Sequence, residues 1–242
     1  GDAATALVFR VLEAPGLEDT QKIAAFGAQY GVQIFLQTGG LDTVRPLHDH
    51  YPPLSYAVDA GRVVIEFGPV DFIQINREIN ASMVDAALAL LQPTAADTVL
   101  DLFCGLGNFT LPLARRALRV VGVEGDAPLV AKAAANAARN GIGNATFLRE
   151  NLFEPAQFGP WAGERYDLVL LDPPRAGASA LLPRMAHWRP RRVVYISCHP
   201  GSLARDAEIL VAQGFKLTCA GVMDMFPQTT HVESIAVFEA PA

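Results

Sequence analysis

Three side chains able to form a bond or carry a proton stand where an apolar run gives way to a turn. Cys198 sits in Ser197-Cys198-His199-Pro200, directly after an apolar strand pattern and at the opening of a helix. A thiol at a helix amino terminus has its thiolate favoured by the aligned peptide dipoles, and Arg205 nearby would add to this, so Cys198 reads as a nucleophile. An inert, buried cysteine is the alternative. Asp172 opens Asp172-Pro173-Pro174-Arg175 after another apolar run, and the two prolines stiffen a loop that offers few backbone donors. An ordinary turn would show the same pattern. Glu233 closes Met225-Phe226-Pro227-Gln228-Thr229-Thr230-His231-Val232-Glu233. A carboxylate in apolar surroundings is costly unless paired or used, and burial raises its pKa towards the range where protons exchange near neutrality. His231 could fill the same role.

A fourth feature has the form of a ligand cradle. Val99 and Leu100 lead through Asp101, Leu102, Phe103 and Cys104 into Gly105-Leu106-Gly107-Asn108. Two glycines let the chain turn sharply and let a ligand approach the backbone. A plain strand-to-helix turn would look alike. Position 110 is Thr, so the third glycine of the dinucleotide fingerprint is missing. Glu124, after the apolar Val120–Val123, stands where an acid takes ribose hydroxyls. An unphosphorylated nucleoside such as S-adenosylmethionine suits this pattern better than NAD.

The elements that must hold these groups follow from periodicity. From residue 98 onward strands are expected at 98–103, 119–123, 145–149, 166–171, 191–196, 215–222 and 232–239. Helices are expected at 109–117, 126–140, 178–187 and 200–212. Repeated βα units imply a parallel sheet covered on both faces. No helix separates the last two strands, so one of them runs antiparallel. This is an α/β chain with the seven-stranded, Rossmann-like layout of a class I methyltransferase. A helix from about Ile75 to Leu91 precedes it, with Ile79, Met83, Ala86, Ala87 and Leu90 on one face and Pro93 beyond its end. The first 71 residues read as a small α+β unit: a strand to Leu12, a helix Leu17–Tyr30, a strand Val32–Gln37, then a hairpin from Tyr56–Asp59 and Arg62–Phe67. The expected domains are therefore 1–71 and 72–242. His48 and His50 lack a third ligand nearby and read as loop residues rather than a metal site.

The chain has 242 residues, half of them apolar, and a formal net charge of -6. That charge opposes non-specific binding to nucleic acid. Two arginine clusters, Arg115-Arg116-Arg119 and Arg184-Arg189-Arg191-Arg192 around Trp188, read either as solvated helix ends or as local RNA contacts. Cys104, Cys198 and Cys219 lack Cys-x-x-Cys spacing, which points to free thiols. No apolar run reaches the roughly 18 residues that a membrane span requires, so a cytoplasmic location with no membrane partner is expected. The chain opens on Gly1 and enters a strand pattern almost at once, as a piece of a longer protein would.

Taken in order, Phe72-Ile73-Gln74-Ile75-Asn76, Asp101 to Pro112, Leu171-Asp172-Pro173-Pro174-Arg175-Ala176-Gly177, Tyr195 to Pro200 and Met225 to Glu233 resemble the RNA uracil-C5 methyltransferases. They resemble most the type acting on 23S ribosomal RNA. The resemblance implies a site for S-adenosylmethionine lined by Gln74, Phe103, Asn108, Glu124, Asn151 and Asp172, with Cys198 as nucleophile and Glu233 as general base. It implies 5-methyluridine as product, 23S ribosomal RNA as partner, and no obligate protein partner. An RNA-binding barrel and an iron–sulfur cluster would belong to a preceding region outside this sequence. Two positions depart from the family pattern: His199 where Asn is common, and Pro174 where Ala is common. The alternatives are a transfer-RNA uracil-C5 methyltransferase, an amino-group methyltransferase using the Asp-Pro-Pro loop, and a non-catalytic S-adenosylmethionine or RNA-binding module.

Overall fold

Val99, Leu100, Leu102, Leu168, Val169, Leu170 and Leu171 are fully excluded from solvent in the computed structural model, which describes residues 1–241. Strands so uniformly apolar are stable only when both sheet faces are covered. The chain forms two compact units, residues 1–57 with 64–73, and residues 58–63 with 74–242.

In the first unit, β1 (Thr5–Arg10) and β2 (Val32–Gln37) are parallel and joined by α1 (Leu17–Tyr30), while β3 (Arg45–Pro46) pairs antiparallel with β2. A Cβ on Gly27 would lie 2.8 Å from Ile34 Cγ1, so the absence of a side chain there lets α1 seat against β2. The expected hairpin is a two-stranded sheet of β4 (Leu54–Val58) and β5 (Val63–Phe67). His48 sets its ring edge-on against Tyr51 at 5.9 Å, and the Tyr51 hydroxyl accepts the Ile34 N–H.

The second unit opens with α2 (Arg77–Leu91), whose N-cap Asn76 accepts the Ile79 N–H. Then follow β6 (Thr98–Leu102), α3 (Thr110–Ala114), β7 (Arg119–Glu124), α4 (Ala127–Arg139), β8 (Ala145–Arg149), β9 (Leu168–Leu171), α5 (Met185–Trp188), β10 (Arg192–Ser197), α6 (Pro200–Ala212), β11 (Lys216–Met223) and β12 (Glu233–Glu239). The seven strands are ordered β11-β12-β10-β9-β6-β7-β8, and β12 alone runs against the others. This is the class I methyltransferase fold. The chain winds outward from β6 through β7 to β8 and then returns to β9 on the other side of β6. That reversal opens a crevice at the strands' carboxyl ends.

Three expected elements differ. The helix expected over 109–117 is only the short α3, Thr110–Ala114. The helix expected over 178–187 is a 3-10 turn at Leu182–Arg184 followed by the single α-helical turn of α5. Pro183 supplies no N–H there, and Arg189, in the left-handed region, stops the chain before Pro190. The strand expected to reach 103 ends at Leu102, because Phe103 turns to φ +65°. No helix among the described residues is long and apolar enough to cross a membrane.

Candidate active site

Sheet register builds the site from one row. Leu102 pairs with Val123 on one side and Leu171 on the other, so the next residues, Phe103, Glu124 and Asp172, stand side by side at the carboxyl edge. On the β7 side, Glu124 accepts the Gly105 N–H (3.1 Å) through one carboxylate oxygen and the Asp126 N–H (3.0 Å) through the other. This holds the acid between the glycine turn and the start of α4. Gly105 has φ +52°, and a Cβ there would meet no atom within 4 Å, so the backbone faces open space. Asn108 exchanges two hydrogen bonds with Asn80 (3.1 and 2.9 Å), which ties the glycine turn to α2. Asn151 folds its own turn: its oxygen accepts the Phe153 N–H and its amide donates to Glu154. That turn brings the Phe153 ring to 5.8 Å from Phe103. Gln74 is half-buried in the segment before α2. A carboxylate, an open backbone and a pair of aromatic rings suit a nucleoside with vicinal hydroxyls; a carboxylate at the glycine turn would repel a pyrophosphate.

On the β9–β10–β12 side the register ends at Ser197 opposite Ser234, and the Ser234 hydroxyl donates to the Ser197 carbonyl (3.1 Å). Cys198 follows this pair on one strand and Glu233 precedes it on the other, close enough that the Glu233 charge acts on the thiol. Glu233 is only 2% exposed and one carboxylate oxygen has no hydrogen-bond partner. Burial, then the neighbouring Asp172, pushes its pKa up to about 7. Asp172, set deep at the end of β9 but partly open to solvent, is likewise pushed by burial to about 7. Two carboxyls that titrate near neutrality thus adjoin one thiol.

The thiol departs from the sequence expectation. Burial first, then Glu233 and Asp172, raise the Cys198 pKa above its ordinary value, against the opposing pull of Arg175 and its own backbone N–H. Arg205 contributes nothing to the thiolate, because its guanidinium is committed to Asp206 and to the Ala176 carbonyl. The cation on this side is Arg175, which meets His231 Nδ1 at 2.7 Å. His199 caps α6, its Nδ1 accepting the Ser202 N–H (3.1 Å), a task an asparagine oxygen could also perform.

Asp101, which carried no role in the sequence reading, is fully buried under the glycine turn and accepts the Thr110 hydroxyl at 2.5 Å. Its second oxygen has no partner, and burial pushes its pKa up to about 7. An acid inside an otherwise apolar central strand was the available signal. Four arginines of the two clusters are tied up in ion pairs at the surface. Arg116 pairs with Asp59, Arg119 with Glu164, Arg191 with Asp97 and Arg192 with Glu239, and Trp188 lies in the core.

The sequence profile of the tRNA (uracil-5-)-methyltransferases matches residues 47–158 and 161–240. The 23S rRNA (uracil(1939)-C(5))-methyltransferase of Methylococcus capsulatus is 53% identical over 241 residues, covering 99% of this chain and 54% of that protein. The enzyme of the same name from Stenotrophomonas maltophilia strain K279a is 54% identical over 240 residues, with the same coverage. The chain therefore spans about half the length of these relatives. Among solved structures, the Pyrococcus abyssi tRNA (uracil-54, C5)-methyltransferase in complex with S-adenosyl-L-homocysteine superposes with a TM-score of 0.75. It covers 96% of this chain and 55% of that one at 23% identity, a likeness of fold.

Proposed function

Because this chain belongs to the tRNA (uracil-5-)-methyltransferase family, we propose that it methylates carbon 5 of a uridine in 23S ribosomal RNA, from S-adenosylmethionine, to give 5-methyluridine. The choice of ribosomal RNA rests on the relatives of that name at 53–54% identity. The chemistry rests on one observation above the others: Cys198 and the buried, half-unpartnered Glu233 flank the last register pair, Ser197–Ser234, and the Glu233 charge reaches the thiol. The protein works in the cytosol, where its RNA is.

Gln74, Phe103, Asn108, Glu124, Asn151 and Asp172 would hold the cofactor in this reading, Glu124 as the acceptor for ribose hydroxyls and Phe103 as the apolar contact for the nucleoside. Bound there, S-adenosylmethionine supplies an electrophilic methyl group. Carbon 5 of uracil is too weak a nucleophile to accept it unaided. Cys198 overcomes this by adding its sulfur to carbon 6, which places the electron pair on carbon 5. The resting thiol is protonated, so its proton leaves first, carried to water by the near-neutral carboxyls beside it. After methylation Glu233 removes the carbon 5 proton, the carbon–sulfur bond breaks, and the thiolate departs. A uracil inside a duplex could not reach Cys198, so the target is unpaired or extruded.

The test is mass spectrometry of the protein with S-adenosylmethionine and a 23S ribosomal RNA fragment bearing 5-fluorouridine, which has no removable proton at carbon 5. A methylated RNA adduct on Cys198, absent in Cys198→Ala with cofactor binding retained, is the expected result. An adduct at another residue, or undiminished methylation by Cys198→Ala, overturns the scheme. Adduct formation on a transfer-RNA fragment alone would move the substrate to transfer RNA.

A further inference from the structure

The proposed chemistry leaves unexplained a polar cluster buried behind the Asp172 loop. Asp206, on α6, has no solvent exposure yet receives four hydrogen bonds. The Tyr195 hydroxyl (2.5 Å) and the Ala178 N–H (2.6 Å) donate to one carboxylate oxygen. Arg205 donates to the other through Nε (2.9 Å) and Nη2 (2.6 Å), and the same Nη2 reaches the Ala176 carbonyl at 2.8 Å. Gly177 passes through this cluster at φ +78°. A Cβ on it would lie 2.5 Å from Arg205 Nη2, 2.6 Å from Asp206 Oδ2 and 3.1 Å from Ser202 Cβ.

The partners belong to the three segments that meet at Cys198. Tyr195 lies three residues before it on β10, and Ser202 and Asp206 lie on the helix opened by its neighbour His199. Ala176, Gly177 and Ala178 end the loop that begins with Asp172 and carries Arg175. The loop's start is fixed by the sheet, through the Asp172 N–H to the Leu102 carbonyl (3.3 Å), and its first turn closes from the Gly177 N–H to the Pro174 carbonyl (2.8 Å). Its far end is fixed by Asp206 and Arg205.

We infer that Asp206, with Arg205, is a positioning residue: it clamps the far end of the Asp172–Arg175 loop to the helix of the nucleophile and so sets Arg175 against Cys198. The inference rests on the reading of Cys198 as the attacking group. Neither Asp206 nor Arg205 touches RNA or cofactor in this scheme; they act through the loop.

The protein is tested with the 5-fluorouridine RNA, following the single-turnover rate of adduct formation at saturating RNA and cofactor, the dissociation constant for S-adenosylmethionine, and the melting temperature. Asp206→Asn turns an amide N–H towards donors and loosens the clamp, and Gly177→Ala pushes a methyl group into it from the loop side. Each is expected to slow adduct formation roughly tenfold or more through misplacement of the reacting groups, with cofactor affinity held within about threefold. Because both variants break one device, the double variant should be little slower than either alone, whereas independent sites would multiply. Tyr195→Phe removes a single donor and is expected to have a smaller effect.

Wild-type rates in folded Asp206→Asn and Gly177→Ala, fully multiplicative losses, or equal losses of cofactor affinity and rate would each overturn the clamp. Should Asp206→Asn fail to fold, Gly177→Ala and Tyr195→Phe decide by the same readings. A wild-type protein that forms no adduct defeats the nucleophile assignment itself, and this inference with it. An adduct forming at equal rates in wild type and variants defeats the clamp alone.

Discussion

Replacing Asp101 by Asn should make the protein more stable above neutral pH and leave it nearly unchanged in acid. Asp101 is completely buried, one of its oxygens has no partner, and its pKa stands at about 7 against an ordinary 3.8. In the folded protein the carboxyl keeps its proton up to about pH 7, whereas in the unfolded chain it loses it near pH 4. Between these values the folded state binds more protons, so stability falls as pH rises, by up to about 1.4 kcal/mol per pH unit. The contribution is complete below about pH 4 and gone above about pH 7. A displacement of about three units corresponds to an upper bound of about 4 kcal/mol. Asparagine can still accept the Thr110 hydroxyl and does not titrate. Urea unfolding of the cofactor-free protein, at constant ionic strength from pH 4 to 8.5, should therefore give curves that lie close together at the acid end, separate steadily between about pH 4.5 and 7 and run parallel above it, with the Asp101→Asn variant the more stable. Asp172 and Glu233 titrate in the same window, and their effect cancels in the difference between the two proteins except for the repulsion between Asp172 and Asp101. An Asp172→Asn background isolates that coupling. A difference independent of pH, or a wild type that gains on the variant as pH rises, would refute the reasoning.

Other substitutions test other parts of the site. Glu233→Gln should leave methyl transfer possible but trap ordinary RNA on Cys198, seen as a stable adduct in denaturing gels. By removing a carboxylate that raises the thiol pKa, it should also shift the pH profile of Cys198 alkylation towards acid. His199→Ala should lose about 1 kcal/mol of stability with the cap of α6, while His199→Asn should retain it, as thermal melts can compare. Gly122→Ala would place a methyl group 3.0 Å from both Cys104 Sγ and Phe147 Cδ1 and 3.2 Å from Thr110 Oγ1. Overpacking there should cost about 1–3 kcal/mol in denaturant unfolding and weaken cofactor binding by disturbing the glycine turn above it.

The strands were legible because a central parallel strand must be apolar throughout, and Val99–Leu102 or Val193–Ile196 admit few other readings. That one of the last two strands runs antiparallel was legible from the missing helix between them; that it is β12, inserted between β10 and β11, was not. The helix expected over 178–187 was not, because its apolar residues bury equally well in the turns that Pro183 imposes. Charge was the least legible property. Arg205 lies seven residues after Cys198 in sequence, yet its partner is the adjoining Asp206, and the cation near the thiol comes from Arg175 on a different loop. The arginine clusters likewise found acids such as Asp59 and Asp97, far away along the chain. Such pairings depend on tertiary approach, which periodicity does not carry. Asp206 itself falls on a helix face among apolar neighbours, where its burial becomes visible only when Tyr195 and the Ala178 N–H arrive.

The placement of β12 between β10 and β11 has a consequence for biogenesis. A chain made from its amino terminus presents β10 as an open edge, with Cys198 at its end, while the strand that will cover it is still unsynthesised. β11 is made next, but it pairs only with β12, so it has no place in the sheet until β12 slots between two strands that already exist. The proposed nucleophile is thus laid down well before Glu233, the proposed base. A nascent or prematurely terminated chain can assemble the glycine turn and the Asp172 loop, but it cannot bring the two together with a base. In the proposed scheme the complete reaction cycle therefore requires β12, and a ribosome-bound chain held short of residue 233 carries an unfinished sheet edge along β10.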